Sequence, residues 1–274
     1  MSPNPPYVAD PHAVVALIRD IHERTDFTGR RGTEKLHPRN YGPSGQKFRT
    51  LVSELNAMIP EEYSYHEVGI YRGRTILTSA LENPGKRHVG VDNFSQFDKD
   101  GENEGAIRAT IAERDVTNLE LKTGDFIEHY AEHEDLNTRD CGVFFYDAIH
   151  DYRNQLVGLM YGARIIAPGG ILLIDDTNYG HVRHSTYDFV RANPEYKLVF
   201  ETFTGAHPTT MTPERAAEVR DGWWNGTQVM IYDPEHRIAS IQGVRESKVE
   251  AAFARAVTQT SAECHTLPTR FVDA

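Results

Sequence analysis

The chain has the sequence VFFYDAIHDYRNQLVGLMYGARIIAPGGILLIDDTNY over residues 143–179, and two short apolar runs within it are each followed by acid. The runs 143–146 and 170–174 are unbroken by polar residues, which is typical of strands buried on both faces. Between them, residues 152–167 have helical spacing and stop at the breaker Pro168-Gly169-Gly170. This pattern predicts a strand–helix–strand unit with two parallel strands.

Three carboxylates follow these two strands: Asp147 after the first, and Asp175 and Asp176 after the second. Parallel strands end at one edge, where open α/β sheets bind ligands. Like charges repel unless a cation neutralises them, and an all-oxygen ligand set suits Mg²⁺, Mn²⁺ or Ca²⁺. His150, about one helical turn after Asp147, can face the same site. The competing interpretation makes these aspartates helix caps and His150 a structural polar contact.

Composition narrows the class of protein. The chain has 274 residues, of which 39% are hydrophobic and 25% charged, enough for one large soluble α/β domain. A net charge of −11 without a dense basic run argues against nucleic acid or an anionic membrane surface as partner. The two cysteines have no zinc or disulfide spacing. With no signal-peptide pattern and no membrane-length apolar run, a cytoplasmic protein is expected.

The rest of the chain predicts a doubly wound, mostly parallel, seven-stranded Rossmann-like sheet with an antiparallel C-terminal hairpin and an N-terminal helical cap. The cap comprises helices near 10–24 and 45–58, joined by a long loop at 25–46. From residue 63 strands and helices alternate, and residues 205–222 form a candidate lid. The predicted strands are 65–70, 88–91, 119–123, 143–146, 170–174, 196–202 and 227–233. The predicted helices after the cap are 72–82, 103–114, 126–135, 152–167 and 248–257, and residues 178–193 are predicted as a loop leading into a helix.

These elements predict three regions in the chain. Residues 1–60 form the cap and an active-site loop, residues 61–247 form the Rossmann-like domain, and residues 248–274 form a C-terminal helix and tail.

A glycine-containing turn, EVGIYRGRT at 67–75, follows the first predicted strand. Glycine lets the backbone turn tightly and approach a ligand, with a helix N-terminus directed at it. The turn lacks the Gly-x-Gly-x-x-Gly of dinucleotide-binding proteins, and Glu67 could accept a ligand ammonium. Asp92 ends the second strand, where an acid binds ribose hydroxyls, and Asp125 ends the third, where it could accept from an adenine amino group. An amino acid, a ribose and a base in this order describe S-adenosylmethionine (SAM).

Five segments carry a resemblance to a known family: EVGIYRGRT (67–75), GVDNF (90–94), TGDF (123–126), FFYDAIHDY (144–152) and GGILLIDD (169–176). In this order the chain resembles class I, metal-dependent SAM O-methyltransferases. It is most similar to the group of macrocin and mycinamicin sugar O-methyltransferases, with catechol O-methyltransferases as more distant relatives. Catechol enzymes have lysine in the place of His150 and asparagine in the place of Asp176, so both residues favour the sugar group.

The resemblance implies a role for each matching residue. Asp92 would bind ribose, Asp125 and Phe126 would lie near adenine, and His150 would be the base. The residues implied around the methionine part of SAM are Glu67, Gly69, Tyr71, Gly73 and Thr75. The residues implied to bind Mg²⁺ (or Mn²⁺) are Asp147, Asp175 and Asp176. A homo-oligomer is also expected from the resemblance.

The predicted activity is SAM-dependent methylation of a hydroxyl, with a divalent cation that lowers the hydroxyl pKa. Three protein carboxylates would leave positions for two acceptor oxygens, so the acceptor should be a vicinal diol or a hydroxyl beside a carbonyl, such as a sugar or glycosylated metabolite. Candidate acceptor contacts are Tyr41, Gln46, His181 and Trp223. The alternatives are a metal-dependent hydroxylase-like or hydrolytic enzyme, or a non-catalytic SAM-binding module.

Overall fold

The computed structural model describes residues 6–98, 100–131, 139–241 and 270–272. Two helices precede an alternation of strands and helices, and short 3₁₀ turns lie at Pro38–Asn40 and Pro208–Thr210. The helices are α1 (Pro11–Glu23), α2 (Gln46–Met58), α3 (Arg74–Glu82), α4 (Asn103–Arg114), α5 (Phe126–Ala131), α6 (Tyr152–Ile165), α7 (Gly180–Ala192) and α8 (Pro213–Asp221). The strands are β1 (Ser64–Val68), β2 (His88–Asp92), β3 (Leu119–Thr123), β4 (Cys141–Tyr146), β5 (Ile166–Asp175), β6 (Tyr196–Thr202), β7 (Thr227–Tyr232) and β8 (Arg270–Phe271).

The strands form one sheet in the order β3-β2-β1-β4-β5-β7-β6-β8. From β3 to β5 all neighbours are parallel, whereas β7, β6 and β8 pair antiparallel. The predicted doubly wound, Rossmann-like α/β fold and the antiparallel pairing of the C-terminal strands are confirmed. The predicted number of seven strands is wrong, since the described residues contain eight.

The additional strand β8 is fixed by a buried charge on β6. Glu201 is fully buried, accepts hydrogen bonds from the Tyr187 hydroxyl (2.7 Å) and the Gln228 amide (3.1 Å), and forms an ion pair with Arg270. Arg19 of α1 also donates to the Val272 carbonyl at 2.7 Å. Two residues of strand are too short to give a periodic signal in the sequence.

Side chains alternate along β4 and divide the core into two layers. Val143 and Phe145 join a cluster with α1, α2, α3 and α4, while Phe144 and Tyr146 join a second cluster with α5, α6 and α7. The strands of the central unit are therefore buried on both faces, as predicted. Helices α1 and α2 share the core of one face of the sheet.

The start of β5 differs from the prediction. Helix α6 ends at Ile165, and β5 begins at Ile166, before the Pro168-Gly169 breaker. The register with β4 shifts there, from Cys141 opposite Ile166 to Val143 opposite Ile171. The Pro168 carbonyl in this irregular stretch accepts a hydrogen bond from the Val8 N–H of the N-terminal segment at 2.8 Å. This long-range hydrogen bond has no local signature in the sequence.

The long loop at 25–46 is held by one carboxylate. Glu82, the last residue of α3, accepts hydrogen bonds from the backbone N–H groups of Gly32 (2.5 Å), Thr33 (3.1 Å) and Glu34 (3.0 Å). The candidate lid at 205–222 contains α8, a helix that the sequence did not predict.

Two predicted segments fall partly or wholly outside the described residues. These are the helix at 248–257 with its tail, and residues 132–135 of the helix predicted at 126–135. None of the helices that the structure describes combines the length and apolarity needed to cross a bilayer.

Candidate active site

The carboxyl ends of β1, β2, β4 and β5 meet at one edge of the sheet, called the carboxyl edge below. Gly69 shows how closely two of these ends approach. Its φ is +84°, and a Cβ there would lie 2.1 Å from the carbonyl oxygen of Asp147. The Asp147 N–H in turn donates to the Val68 carbonyl at 2.8 Å. Glycine is required at this position because the backbone after β4 occupies the space of a side chain.

The turn from Gly69 to Gly73 departs from ordinary backbone geometry at a further position. Tyr71 is a non-glycine residue with a φ of +49°, and Gly73 has a φ of +79° as the N-cap of α3. Left-handed non-glycine residues are strained and cluster at functional sites. Thr75, the second residue of α3, is buried beside this turn. The free N–H groups at the start of α3 can bind a carboxylate.

Asp92 anchors this turn. One carboxylate oxygen accepts from the backbone N–H groups of Ile70 (2.8 Å) and Tyr71 (3.0 Å), and the other accepts from Phe94 N–H (2.8 Å). The structure thus gives Asp92 a structural function that the sequence did not suggest. Ribose binding by its remaining lone pairs stays a prediction.

Glu67 lies on β1 and is 2% exposed. The Tyr65 hydroxyl donates to its carboxyl group at 2.5 Å. Burial raises the pKa of Glu67 to about 8, a shift that the Tyr65 hydrogen bond opposes and the charge of Asp92 increases. A ligand ammonium would favour the ionised form, so the environment of Glu67 is compatible with its predicted contact with the amino group of SAM.

Asp125 and Phe126, predicted near adenine, begin α5. The Asp125 carboxylate accepts from Ile127 N–H at 2.7 Å, so this residue acts as a helix cap. Phe126 is buried and packs edge-on against Tyr146, with ring centroids 5.5 Å apart. A cap and a packed ring explain both positions without a ligand, and the adenine contact stays a prediction.

The acidic cluster forms as predicted at the ends of β4 and β5. Burial raises the pKa of Asp147 well above its usual range, and the charges of Asp175 and Asp176 add to the shift. Burial and the charge of Asp176 raise the pKa of Asp175 in the same direction. A hydrogen bond joins the Asp147 and Asp175 carboxyl groups. Asp147 and Asp175 are therefore adjacent acids whose ionised forms are disfavoured by burial and by neighbouring charge.

His150 joins this cluster. Its Nε2 lies 3.1 Å from Asp176 Oδ2 and 3.6 Å from Asp147 Oδ1. Its Nδ1 is buried and has no hydrogen-bond partner in the described residues. Nε2 therefore faces two carboxylates of the cluster.

The chemistry of this donor set fits a hard divalent cation, because three carboxylates come together with no cationic residue other than His150 paired to them in the described chain. The side chains do not converge as a finished metal site: among residues 6–98, 100–131, 139–241 and 270–272, no group of three or more His, Cys, Asp or Glu could hold a metal ion as arranged. A cation would require the Asp147 and Asp175 carboxyl groups, which are hydrogen-bonded to each other, to separate and face Asp176.

The sequence did not identify Asn225, which lies in the turn before β7. Its side-chain N–H donates to Asp176 Oδ1 at 2.7 Å, and the residue is fully buried. Tyr179 lies nearby: burial and the charge of Asp176 raise its pKa to about 12, against a hydrogen bond with Asn225. No local motif marks either residue, since Asn225 follows Asp176 by 49 positions.

Two of the four candidate acceptor contacts lie in the N-terminal segment. Tyr41 is 58% exposed and lies near Arg74. Burial lowers the pKa of Arg74, and Tyr41 opposes this shift. Gln46 uses its amide within the protein, donating to the Gly32 carbonyl (3.0 Å) and accepting from Arg49 (2.7 Å). Tyr41 thus stays available as an acceptor contact, whereas Gln46 supports the loop.

The other two candidates are buried. His181 stacks on Tyr179 and contacts the His150 carbonyl, which places it beside the acidic cluster. Trp223 is 5% exposed, packs on Phe200 at 5.0 Å and donates its indole N–H to His22 at 3.1 Å. This position makes Trp223 a core residue; stacking on a sugar is not supported.

Comparisons with known proteins agree with this geometry. Residues 66–177 match the family model described as a methyltransferase domain, and a search of curated proteins gave no match. The fold is similar to that of a solved protein from Corynebacterium glutamicum, at 12% identity and a TM-score of 0.52, over 82% of this chain and 92% of that chain.

Two further solved structures align at a TM-score of 0.49. One is the O-methyltransferase from Bacillus cereus in complex with SAH, at 12% identity over 81% of this chain and 91% of that chain. The other is the O-methyltransferase TomG from Streptomyces achromogenes in complex with SAM, at 11% identity over 82% of this chain and 92% of that chain. The family match itself covers β1 to β5 and most of the carboxyl edge. Residues 66–177 of this chain are therefore similar to the methyltransferase domain family.

Proposed function

We propose that the protein is a SAM-dependent O-methyltransferase that uses Mg²⁺ or Mn²⁺ to bind an acceptor hydroxyl. The observation that carries the proposal is the cluster of Asp147, His150, Asp175 and Asp176 at the carboxyl edge of a methyltransferase domain. This cluster joins a base to a set of cation ligands at the edge where α/β sheets bind substrates.

SAM would lie along the ends of β1 and β2. Glu67 would bind its ammonium, and the start of α3 near Gly73 and Thr75 would bind its carboxylate. Asp92 keeps the turn in place through three backbone hydrogen bonds and would accept from ribose hydroxyls. The contacts of Gly69 and Tyr71 with the methionine part, and of Asp125 and Phe126 with adenine, belong to the same proposal.

Asp147, Asp175 and Asp176 would hold the cation. When bound, a divalent cation lowers the pKa of a coordinated hydroxyl and orients the acceptor. The raised pKa values of Asp147 and Asp175 support this proposal, because a cation would relieve the repulsion that they report.

His150 would remove the acceptor proton. Its Nε2 accepts the hydroxyl proton as the O–H bond breaks, and the acceptor oxygen forms a bond to the methyl carbon as the carbon–sulfur bond breaks. The sulfonium becomes a neutral thioether, so the products are the methyl ether, S-adenosylhomocysteine and one proton on His150. Asp176, 3.1 Å from Nε2, stabilises the imidazolium.

The acceptor would carry a hydroxyl beside a second oxygen, as in a vicinal diol of a sugar or a glycosylated metabolite. A cation bound by the three carboxylates would keep open coordination positions, and two neighbouring acceptor oxygens could fill two of them. The resemblance to macrocin and mycinamicin O-methyltransferases favours a sugar hydroxyl over a catechol.

The test is a methyl-transfer screen of full-length protein with SAM and Mg²⁺ against sugars, glycosides and catechols, followed by mass spectrometry. We expect a mass gain of one methylene on a vicinal-diol acceptor and its loss with a chelator. Turnover that is unchanged by the chelator would refute the role of the cation. Failure to bind SAM in calorimetry would refute the methyltransferase proposal and favour a hydrolytic or hydroxylase-like enzyme.

A further inference from the structure

Asp176 has an unusual backbone conformation for a residue with a side chain. Its φ is +56°, in the left-handed region that glycine and asparagine adopt most readily. Its side chain is 15% exposed and lies between two partners: His150 Nε2 at Oδ2 (3.1 Å) and Asn225 Nδ2 at Oδ1 (2.7 Å). Asn225 therefore determines which carboxylate oxygen faces His150.

The orientation of the Asn225 amide is fixed in turn by Asn178. The side-chain N–H of Asn178 donates to Asn225 Oδ1 at 2.7 Å, and its backbone N–H donates to the Asn225 carbonyl at 3.0 Å. An amide whose oxygen accepts from a neighbouring amide must direct its NH₂ group the other way, here toward Asp176. Asn178 and Asn225, both fully buried, form what we call the amide relay.

The amide relay also contacts the segment that leads into α8. Asn178 donates to the Thr204 hydroxyl at 2.7 Å and accepts from the Thr204 N–H at 3.0 Å. On the other side of Asn225, Gly226 has a φ of +87°, and a Cβ there would lie 2.7 Å from the Thr177 hydroxyl oxygen. The connection after β5, the segment after β6 and the turn before β7 thus meet at one buried pair of amides.

We propose that Asn225 is a positioning residue, which together with Asn178 holds Asp176 in its left-handed conformation and directs Oδ2 toward the reacting side of the cluster. This inference rests on the proposed function, because it assigns Asp176 to the acceptor site. The alternative is that the buried Asn225 amide only stabilises the fold. A positioning role predicts that loss of Asn225 impairs the function of Asp176, whereas a purely structural role predicts a loss of stability alone.

The experiment measures Mn²⁺ binding to the full chain by electron paramagnetic resonance, beside turnover and melting temperature. Partners of metal-ligand side chains affect metal affinity by roughly 10–100-fold. For Asn225→Ala we expect Mn²⁺ affinity to fall by about that factor, with a parallel fall in kcat. Asn178→Ala should give a smaller loss, because Asn225 keeps its own hydrogen bond to Asp176. Asn225→Leu, of similar size, serves if the alanine variant does not fold.

Asn118→Ala is the matched control. The Asn118 side chain donates to the carbonyls of Ala80 (3.1 Å), Asn83 (3.0 Å) and Lys86 (2.9 Å), away from the acidic cluster. Its loss should lower the melting temperature and leave Mn²⁺ affinity and kcat unchanged.

The inference is overturned if Asn225→Ala and Asn225→Leu lower the melting temperature as the control does but keep wild-type Mn²⁺ affinity and kcat. Wild-type protein that transfers methyl but binds no Mn²⁺ would refute the cation part of the proposed function alone. In that case kcat tests the inference about Asn225. A lower kcat in the Asn225 variants, with wild-type kcat in Asn118→Ala, would support the inference, and wild-type kcat in the Asn225 variants would overturn it.

Discussion

Acids at the two halves of the carboxyl edge are stabilised in different ways. In the half formed by β1 to β3, Asp92 accepts three backbone hydrogen bonds and Asp125 caps α5. In the half formed by β4 and β5, Asp147 and Asp175 lie against each other, and burial and repulsion raise the pKa of both. The first half is built to keep the turns of the sheet in place. In the second half the neighbouring carboxylates repel one another, and a bound cation would reduce this repulsion.

This difference gives opposite expectations for stability. Removing an acid that accepts backbone hydrogen bonds leaves buried donors unsatisfied and destabilises the fold. Removing one of two mutually repelling carboxylates should stabilise the metal-free fold while it damages the site, a trade-off common at functional sites. The predictions below test this contrast, from the largest expected effect to the smallest.

Asp175→Asn should have the largest effect. We expect Mg²⁺-dependent methyl transfer to be abolished, since a cation ligand is lost, while SAM affinity in calorimetry stays as in wild type. Without added cation the melting temperature should rise, because burial and the charge of Asp176 disfavour an ionised carboxylate at position 175 and asparagine carries no charge. Wild-type turnover would show that Asp175 is not part of the site, and a lower melting temperature would contradict the contrast between the halves.

His150→Ala should lower kcat by roughly 10²–10⁴-fold, the usual contribution of a general base. SAM affinity should be preserved, because His150 lies with the β4 and β5 carboxylates. The pH–rate profile should lose its acid limb, since the base must be unprotonated to act. His12→Ala, at an exposed position on α1, is the control and should behave as wild type. An unchanged profile in His150→Ala would exclude this residue as the base.

Asp92→Asn should cost about 1–3 kcal/mol of folding free energy and weaken SAM binding. Both Asp92 oxygens accept from backbone N–H groups, so either amide orientation places an NH₂ group against a donor. Asp98→Asn is the control: Asp98 accepts from Glu102 and Asn103 through a single oxygen, which asparagine can retain. Equal denaturation midpoints for the two variants would show that the Asp92 hydrogen bonds do not stabilise the turn.

Glu67→Gln should change the pH dependence of stability. The pKa of Glu67 is raised to about 8 in the folded protein, above its ordinary value of 4.5, so the folded state binds the additional proton. Stability from this group is therefore present at low pH and is lost as the pH rises from 4.5 through about 8. Melting temperatures measured across this range should fall more steeply in wild type than in Glu67→Gln. Parallel curves would contradict the raised pKa.

Much of the fold could be predicted because its central elements carry strong local patterns. The buried runs of β4 and β5 and the helix between them fixed the parallel pair and its edge. The start of β5 was missed because Val8, far away in sequence, satisfies the irregular backbone at Pro168. Strand β8 was missed because its two residues pair through Arg270 with a carboxylate on β6.

The acidic cluster was predictable for a topological reason. Parallel neighbouring strands bring their ends together, so Asp147 and Asp175 had to be close once β4 and β5 were paired. Asn225 could not be found this way, because it reaches Asp176 from the turn before β7, which has no motif of its own. The sequence alone could not assign Trp223 to the core or to the cleft, because a tryptophan in either place has the same local sequence; the structure buries it.

The ion pair between Glu201 and Arg270 has a consequence for the order in which the protein is made. Arg270 follows Glu201 by 69 residues, so the ribosome completes β6 well before the cation that neutralises its buried carboxylate. Tyr187 is already synthesised by then and Gln228 follows soon after, so neutral donors are available first. A buried carboxylate without its cation is costly. Translation therefore makes the docking of β8 beside β6 a late step in folding, after residues 66–177 have been synthesised.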